Sequence, residues 1–410
     1  MRRSPQELVK GAYDYCLASI RSASAQYHAT LLHNEYHARR RHYELRAAER
    51  GLAYSDSLVK ERTQRRLADR GLERIPRERG DIHTLSFFPL QGWHVQLVAP
   101  LRALGHLHHF DSRLHLASYS DLLAGKAHAV DHRRRICDSF ERIAKRAVAR
   151  HPVDWVFVYA TGAEILVSTI ERVRDIVKAP VVGMCLDDKQ SWQGPMVGGQ
   201  DSGQISLAPH LDLAWTSSRV ACEWYMVEGG NPVFLPEGCD PEVYSPDETP
   251  QDLDISFVGQ AYGFRRAFID RLRSLGLRVK AAGPGWPDGA VSDADLVRLF
   301  RRSKIVLGHG GIGWSEEIKN TKGRDFDAPA VGMGAYLTSF NPELTEFFDV
   351  GREILCYSSI DECYEVASRL LRDDLLRRQV ARAGRDRCLR EHTWVSRFEH
   401  ILSLLGTLSG

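Results

Sequence analysis

The chain has 410 residues, of which 26% are charged and 43% hydrophobic, and its formal net charge at pH 7 is +2. This length predicts two to three domains with sizeable hydrophobic cores. The near-neutral balance excludes a general polyanion binder, and the hydrophobic content excludes a disordered tail.

The cysteine pattern and the first residues indicate a reducing compartment. Eight cysteines stand singly, without a C-x-x-C pair, and such cysteines are most often small core residues. The first twenty residues lack the uninterrupted apolar core of a signal peptide. Since no run of 18 apolar residues occurs either, we expect no membrane span and a soluble, cytoplasmic protein.

Residues 1–80 form a basic segment with 17 Lys and Arg against 10 Asp and Glu, whereas the rest of the chain is net acidic. The composition predicts a helical extension whose helices end near Gly51 and Gly71. The run HARRRHYELR suits an acidic membrane surface, a nucleic acid or an acidic partner. Because no aromatic platform accompanies the arginines, we favour a solvated helix face, or a helical hairpin that packs on a sister subunit and makes a homodimer.

Strand and helix signals then alternate twice along the chain. Residues 81–245 carry strand signals at IHTLSFFPL, HLHHFDS, WVFVYAT, APVVGMCLDD and LDLAWTSS. Four prolines in residues 231–246 indicate a loop between domains. The pattern restarts at Asp252 with LDISFVGQ, LRVKAAGPGW, SKIVLGHGG, AYLTS and EILCYS. This alternation predicts an α/β fold of two Rossmann-like domains with parallel sheets, whose ligands bind at the carboxyl ends of the strands.

The stretch KGRDFDAPAVGMGAYLTS (322–339) places cations and a carboxylate before a predicted short helix that opens at Ala328. Lys322 and Arg324 at a helix N-terminus suit a diphosphate, because unpaired amides and two cations converge there. Phosphate would repel Asp327, which suits sugar hydroxyls, as acidic residues do for ribose. An exposed charged loop before an ordinary helix is the alternative.

Seven pieces of residues 255–402 stand in a recognisable order: ISFVGQAYGFRR, AAGPGW, LFRRSKIVLGHG, KGRDFDAPAVGMGAYLTS, GREILCYSS, AGRDR and EHTWVSRFEHIL. In this order they resemble the C-terminal half of the CgeB-like (spore-maturation-protein-like) group of GT-B glycosyltransferases. The resemblance implies a GT-B fold, with an N-terminal acceptor domain at 81–245 and a nucleotide-sugar donor domain at 252–390. It also implies that a C-terminal helix within 391–410 crosses back to the first domain.

Loops at the predicted strand ends supply further donor-site candidates. In GQAYGFRR, the amides around Gly259 together with Arg265 or Arg266 would hold phosphate, although packing explains such a turn equally well. Trp286 would stack on a base, or close over the sheet as a buried lid. His309 stands between glycines, which suits a place beside the donor better than a place in a core.

One position departs from many retaining GT-B enzymes, which carry two glutamates eight positions apart. Asp327 matches the second glutamate, shortened by one methylene. Lys319 stands where the first is expected, and it cannot accept hydrogen bonds from a hexose. The donor sugar and the choice between retention and inversion therefore stay open.

An acceptor hydroxyl needs a nearby base, which we expect from the first domain. Asp188 is the first candidate, because Asp187 and Asp188 follow a predicted strand at a place where the family often has acidic residues. An N-cap or a loop acceptor is the alternative for Asp188, and His94 is the second candidate base. His108 and His109 lack a third ligand at metal spacing. We expect no metal and no cofactor, because GT-B enzymes typically offset the charge of the leaving diphosphate with cations and helix amides.

The resemblance therefore predicts a metal-independent hexosyltransferase-type glycosyltransferase. It would move a sugar from a nucleotide-diphosphate donor, with a UDP-sugar slightly favoured, to a hydroxyl of a glycan, small molecule or protein. A nucleotide-sugar epimerase is one alternative, and Lys319 counts against it because acidic residues should flank the sugar. A non-enzymatic assembly protein on the same fold is another, and the basic extension fits it. Direct nucleic-acid binding is disfavoured by the net acidic charge beyond the extension.

Overall fold

The computed structural model describes residues 5–72, 76–90, 92–112, 119–313 and 315–409, with side chains from residue 27 onward. The predicted extension of residues 1–80 thus falls partly outside the described residues. Within them, two parallel sheets of six and five strands form, accompanied by two short antiparallel hairpins. No described helix combines the length and the apolar character that a membrane crossing requires.

The N-terminal segment forms two helices, α1 (Pro5–Glu49) and α2 (Val59–Asp69). Glycines follow both, Gly51 at φ 62° and Gly71 at φ 64°, and these left-handed conformations stop a helix at little cost. The C-terminal part of α1 packs on its own chain, because Tyr36 and Tyr43 are buried in a core cluster of the first sheet.

The first sheet has the strand order β2-β1-β3-β4-β7-β8, and β5 and β6 form a separate hairpin. The strands are β1 (Ile82–Phe88), β2 (Gly105–Asp111), β3 (Trp155–Tyr159), β4 (Val181–Cys185), β5 (Met196–Val197), β6 (Gln200–Asp201), β7 (Leu213–Thr216) and β8 (Pro232–Phe234). The central strands are apolar on both faces because helices cover both sides of the sheet.

Helices connect these strands, since parallel neighbours need a crossover connection. A π-helical turn (His94–Val98) leads into the first of them. The helices are α3 (Ala99–Leu104), α4 (Tyr119–Leu123), α5 (Ala127–Val148), α6 (Val167–Val177), α7 (Asp188–Ser191) and α8 (Arg219–Val227).

The second sheet has the order β10-β9-β11-β14-β15, and β12 and β13 form a hairpin beside it. Its strands are β9 (Leu253–Val258), β10 (Val279–Ala282), β11 (Ser303–Leu307), β12 (Gly311–Ile312), β13 (Ser315–Lys319), β14 (Ala335–Ser339) and β15 (Leu355–Tyr357). Its helices are α9 (Arg265–Ser274), α10 (Asp293–Arg302), α11 (Arg324–Val331), α12 (Ile360–Arg372), α13 (Asp374–Glu391) and α14 (Trp394–Leu405).

Helix α11 begins four residues earlier than the sequence suggested. The expected start was Ala328, but the first helical residue is Arg324. The reason is local, because the Asp325 carboxylate accepts the Lys322 backbone N–H at 2.7 Å and stabilises an earlier first turn. The helix ends at Gly332, whose φ is 68°.

Helix α14 packs on the first sheet although it follows the second in sequence. It contacts α2 and α3. Trp394 and Phe398 lie in one apolar cluster with Trp155 and Trp215. Helix α14 therefore connects the second sheet to the first. The β12–β13 hairpin makes a second connection, because its Ile318 is buried in the core cluster that contains Tyr36.

Candidate functional site

Two guanidinium groups meet at the carboxyl end of β9. Arg324, the first residue of α11, donates to the Val258 carbonyl and lies 4.9 Å from the centroid of the Phe257 ring. Arg265, the first residue of α9, donates to the Gln260 carbonyl at 3.2 Å. A β-carbon on Gly259 would lie 2.9 Å from Arg324 Nη1 and 3.5 Å from Arg265 Nη1. Only a residue without a side chain lets both cations approach the strand end this closely.

This cation pair has unused hydrogen-bonding capacity. Burial, and then the neighbouring Arg324 charge, lower the pKa of Arg265 to about 10, so the group is still charged at neutral pH. The Nε atoms of Arg265 and Arg324 are buried and have no hydrogen-bond partner among the described residues. Two adjacent cations with spare donors, Arg265 buried and Arg324 partly buried, form a local environment that an anion stabilises.

The backbone amides at the start of α11 are largely paired within the chain. Asp325 N–H donates to the Lys322 carbonyl at 2.7 Å, and the amides of Phe326 and Asp327 donate to the Gly323 carbonyl at 3.0 and 2.8 Å. Cationic side chains, rather than these amides, are therefore the anion-binding groups available at this helix start.

The two carboxylates of α11 both point into protein. Asp325 is buried and accepts from the Lys322 N–H and the Tyr336 hydroxyl. Asp327, the sequence candidate for the sugar hydroxyls, is 7% exposed and lies beside the Tyr244 hydroxyl. Burial raises the pKa of Asp327 well above its usual range, and its Oδ1 has no hydrogen-bond partner within the described part of the chain.

His309 borders a cavity of about 490 Å³ beside the arginine pair. Burial lowers the pKa of His309 to about 3, and the charges of Arg265 and Arg324 act in the same direction, so the imidazole is neutral at pH 7. Its Nδ1 lies 3.3 Å from the Tyr357 hydroxyl. The cavity is further lined by residues from the ends of β13, β14 and β15 and from the starts of α9 and α12: Phe264, Ala267, Phe268, Glu316, Lys319, Ser339, Tyr357, Ser358, Ser359 and Ile360.

Trp286 and Arg266 are engaged with each other. Trp286 is 4% exposed, lies in the apolar core beneath the strand end, and donates through Nε1 to the Gly259 carbonyl at 2.8 Å. The Arg266 guanidinium lies 5.3 Å from the centroid of its ring and donates to the Gly285 carbonyl. Trp286 and Arg266 thus lie close to Gly259 and the arginine pair. The indole is buried over the sheet, which is the lid alternative and not the base-stacking one.

The carboxyl edges of the two sheets meet at Asp187 and Lys322. Lys322 Nζ lies 3.2 Å and Asn320 Nδ2 3.1 Å from Asp187 Oδ1. Burial alone would raise the pKa of Asp187, but the Lys322 charge and these hydrogen bonds outweigh it and lower the pKa. Burial works against the charge of Lys322, yet Asp187 raises the pKa of Lys322. Both groups are therefore ionised at neutral pH.

Asp188 points in the opposite direction from its neighbour Asp187. It is completely buried and accepts hydrogen bonds from the Thr216 hydroxyl and, at 2.8 Å, from the Tyr225 hydroxyl. Burial raises the pKa of Asp188 to about 7. The structure places this candidate inside the first domain, away from solvent.

His94 lies on the exposed turn that follows β1. The same turn reaches the linker between the domains, because Gln96 Nε2 donates to the Tyr244 hydroxyl at 3.4 Å. The preceding Trp93 packs edge-on against Tyr159, with ring centroids 4.8 Å apart. His94 thus stands at the edge of the first sheet that faces the second domain.

Glu237 is a site residue that sequence reasoning missed. It is buried, accepts from the Thr321 hydroxyl at 2.9 Å, and lies close enough to Lys322 for their charges to interact. Burial raises the pKa of Glu237 to about 7. The signal for it is modest: an acidic residue between Pro236 and a glycine, directly after the last strand of the first sheet.

The chain resembles known proteins in sequence over one region and in fold over most of its length. Residues 265–403 match a family model described as glycosyl transferase-like, so the chain carries a glycosyl transferase-like domain. No functionally curated protein matches the chain by sequence. Among solved structures, HepE (Alr3699) of Anabaena in complex with UDP and glucose is similar at a TM-score of 0.51 and 11% identity, over 79% of this chain and 99% of that chain.

Two further solved structures are similar. HepE of Anabaena in complex with UDP gives the same TM-score of 0.51, identity of 11% and coverage of 79% and 99%. A UDP-N-acetylglucosamine 2-epimerase is similar at a TM-score of 0.47 and 11% identity, over 81% of this chain and 100% of that chain. Likeness at such identities concerns the fold, and the predicted GT-B fold of two parallel α/β sheets with an N-terminal helix is confirmed.

Proposed function

We propose that this protein is a glycosyltransferase that moves a sugar from a nucleotide-diphosphate donor to a hydroxyl-bearing acceptor. The observation that carries the proposal is the meeting of Arg265 and Arg324 at Gly259, beside the cavity of His309. This pair lies at the carboxyl ends of parallel strands, where α/β sheets bind their ligands. The glycosyl transferase-like match over residues 265–403 supports the same reading.

The guanidinium groups of Arg265 and Arg324 would bind the diphosphate. Charge builds up on the leaving diphosphate as the glycosidic bond breaks, and fixed cations lower the energy of that state. Both cations are already held by backbone carbonyls and aromatic faces, so little reorganisation is needed when the donor binds. On this proposal a metal ion at the leaving group is unnecessary.

The cavity beside the pair would hold the rest of the donor. A neutral His309 can donate or accept a hydrogen bond, and Ser339 and Lys319 offer further polar groups at the same wall. We favour a uridine donor, because HepE, a protein of similar fold, binds UDP. Trp286 and Arg266 would support the wall from outside, and Gly259 would keep it open.

His94 is the proposed base for the acceptor hydroxyl. It is exposed at the cleft-facing edge of the first sheet, whereas Asp188 holds the Thr216 and Tyr225 hydroxyls in the interior. A base must reach the proton it removes, and a completely buried carboxyl cannot do so without rearrangement. We therefore propose that Asp188 positions β7 and α8, and that Asp187 and Lys322 set the approach of the two domains. The order of motifs over 255–402 supports the further proposal that the chain belongs to the CgeB-like group.

Turnover with defined donors tests the proposal. The full chain is incubated with UDP-glucose, UDP-N-acetylglucosamine, GDP-mannose and dTDP-glucose and with a panel of hydroxyl acceptors, and released nucleoside diphosphate and glycosylated product are measured. One donor class should yield both products. Loss of either Arg265 or Arg324 to Ala should slow release by about 10²- to 10³-fold, as expected for a group that stabilises developing charge.

Arg271→Ala is the matched control, since Arg271 is an exposed arginine on the same helix as Arg265. It should turn over within about twofold of the parent, as surface changes away from a site usually do. An epimerised nucleotide sugar without transfer would instead favour an epimerase. Absence of both turnover and nucleotide binding would favour a non-enzymatic assembly protein.

A further inference from the structure

We propose that His33, His37 and Glu317 form a binding site for a divalent transition-metal ion, with Zn²⁺ as the best fit. The site joins α1 to the β12–β13 hairpin of the second domain. It is separate from the cation pair at Gly259 and does not depend on the proposed glycosyltransferase activity.

The two histidines stand one helical turn apart on α1. A spacing of four residues places side chains on the same helix face, and the two imidazole rings have centroids 4.2 Å apart. The third group comes from β13, since Glu317 Oε2 lies 3.0 Å from His33 Nδ1 and Glu317 Oε1 lies 3.3 Å from His37 Nε2. The candidate ligand atoms all lie within 4.8 Å of one another.

The nitrogen of His37 gives a second reason to expect a ligand. His37 Nε2 is shielded from solvent and has no hydrogen-bond partner among the described residues, although Glu317 is near. A shielded imidazole nitrogen without a partner is an unfavourable arrangement. A metal ion bound to its lone pair would satisfy it.

The donor set selects the class of metal. Two imidazole nitrogens and one carboxylate suit Zn²⁺, Co²⁺, Ni²⁺ or Cu²⁺, whereas Mg²⁺ and Ca²⁺ prefer oxygen ligands. Zinc binds imidazole nitrogen and carboxylate oxygen at about 2.0–2.2 Å, so three ligand atoms grouped this closely surround a position at bonding distance with small side-chain rotations. Water would complete a tetrahedron.

The surrounding contacts show what a bound ion would do. Beneath the site, Ile312 and Ile318 of the hairpin share an apolar cluster with Tyr36 of α1, so the helix and the hairpin already touch. Lys319, at the end of the same strand, borders the cavity beside His309. A metal at Glu317 would fix the hairpin on α1 and thereby hold one wall of that cavity in place.

Metal binding to the full chain tests the inference. After treatment with a chelator and dialysis, Zn²⁺ is titrated by calorimetry, bound metal is counted by mass spectrometry, and Co²⁺ is added for its visible absorption. We expect one Zn²⁺ per chain and a Co²⁺ spectrum of tetrahedral type. His37→Gln and Glu317→Gln should each weaken Zn²⁺ binding by about 100-fold or more, because each removes a direct ligand.

The three ligand side chains are 33% to 63% exposed, so these substitutions leave the core intact. His128→Gln is the matched control: His128 Nε2 also lies 3.3 Å from a carboxylate, that of Asp121, but this pair belongs to no group of three close metal-ligating atoms among the described residues. This variant should bind Zn²⁺ like the parent. Zn²⁺ should also slow backbone amide exchange in β13.

Two outcomes would overturn the inference. One is the absence of stoichiometric Zn²⁺ on the folded parent, which would leave an ordinary contact between histidines and a glutamate. The other is unchanged affinity in both His37→Gln and Glu317→Gln, which would locate the metal elsewhere on the chain.

Discussion

Lys322 Nζ lies 3.2 Å from Asp187 Oδ1, and this ion pair joins a residue two positions before α11 to a residue two positions after β4 in the other domain. A parallel pair of contacts supports it, because Lys189 lies 3.1 Å from Glu343 and donates to the Lys319 carbonyl at 2.6 Å. The carboxyl edges of the two sheets are thus held against each other by charged groups. Since the Asp187 side chain is partly exposed, we expect the ion pair to contribute little to the free energy of unfolding.

The buried carboxyl of Asp188 predicts a pH dependence of stability. In the folded protein it keeps its proton up to about pH 7, whereas an unfolded aspartate releases it near pH 3.9. Between these values the unfolded state binds fewer protons, so the free energy of unfolding falls as pH rises. Asp188→Asn removes this effect, and its stability relative to the parent should rise by roughly 3 kcal/mol from about pH 4.5 to pH 7.5. Urea denaturation at both pH values measures it. A relative stability that does not change with pH would contradict the assignment.

Gly259→Ala should weaken nucleotide binding without unfolding the protein. The new β-carbon would meet Arg324 Nη1 at 2.9 Å, and this cation would have to move from the strand end. We expect about a tenfold or greater loss of affinity for the diphosphate that binds best, which is the size of one lost charge-assisted hydrogen bond. Calorimetry measures it, with Gly276→Ala as the control, since a β-carbon there meets nothing within 4 Å. Equal losses in the two variants would point to general destabilisation.

Trp286→Phe distinguishes between two roles of this side chain, a structural lid over the sheet and a platform that stacks on a nucleotide base. The indole N–H donates to the Gly259 carbonyl at 2.8 Å, so the change removes a hydrogen bond and leaves a small cavity. We expect a loss of roughly 1–3 kcal/mol in the free energy of unfolding. Nucleotide affinity should change less than about threefold, because the ring lies in the core. A large loss of affinity with unchanged stability would show that Trp286 contacts the base.

Tyr43→Phe tests whether α1 is an integral part of the first domain. The Tyr43 hydroxyl accepts from Trp192 Nε1 and donates to Glu228, both at 2.8 Å. Its removal leaves the buried Trp192 N–H unpaired, which should cost about 1–3 kcal/mol of unfolding free energy. Tyr27→Phe is the control on the same helix, since Tyr27 is 63% exposed. Equal stability of both variants would mean that α1 is only loosely attached.

Much of the fold could be predicted from the sequence because strand and helix periodicities alternate without interruption. Segments such as VVGMC and AYLTS are apolar throughout, as strands buried on both faces must be. The start of α11 was harder to predict. Its first turn depends on the Asp325 carboxylate, which accepts the Lys322 N–H. Sequence patterns place a helix start close to a proline, so Pro329 favoured a later start than the one observed.

The site could be predicted only as a region. Arg265, Arg324 and His309 are near strand ends in sequence, and the structure brings the two arginine charges close enough to act on the His309 imidazole. The orientation of neighbouring carboxylates could not be predicted, since Asp187 faces the other domain while Asp188 faces the core, and only the packing around β4 decides this. Glu237 was missed because a proline-rich linker carries no periodicity.

The cluster of His33, His37 and Glu317 shows a different limit of prediction from sequence, namely contacts between residues that are distant in the chain. His33 and His37 have a spacing that sequence analysis can detect, but their partner Glu317 lies 280 residues after His37 (317 − 37) in the chain. Only the contact between α1 and the β12–β13 hairpin makes the three residues neighbours.

Nucleotide binding by the cation pair tests the central claim most directly. Thermal unfolding is followed with UDP, GDP, dTDP, ADP and CMP for the parent, Arg265→Ala, Arg324→Ala and the control Arg271→Ala. A ligand at about a hundred times its dissociation constant should stabilise the folded state by roughly 2.7 kcal/mol. We predict that one nucleoside diphosphate raises the melting temperature of the parent and of Arg271→Ala but not of the other two variants. A parent that responds to no nucleotide, or an Arg324→Ala variant that responds like the parent, would contradict the account.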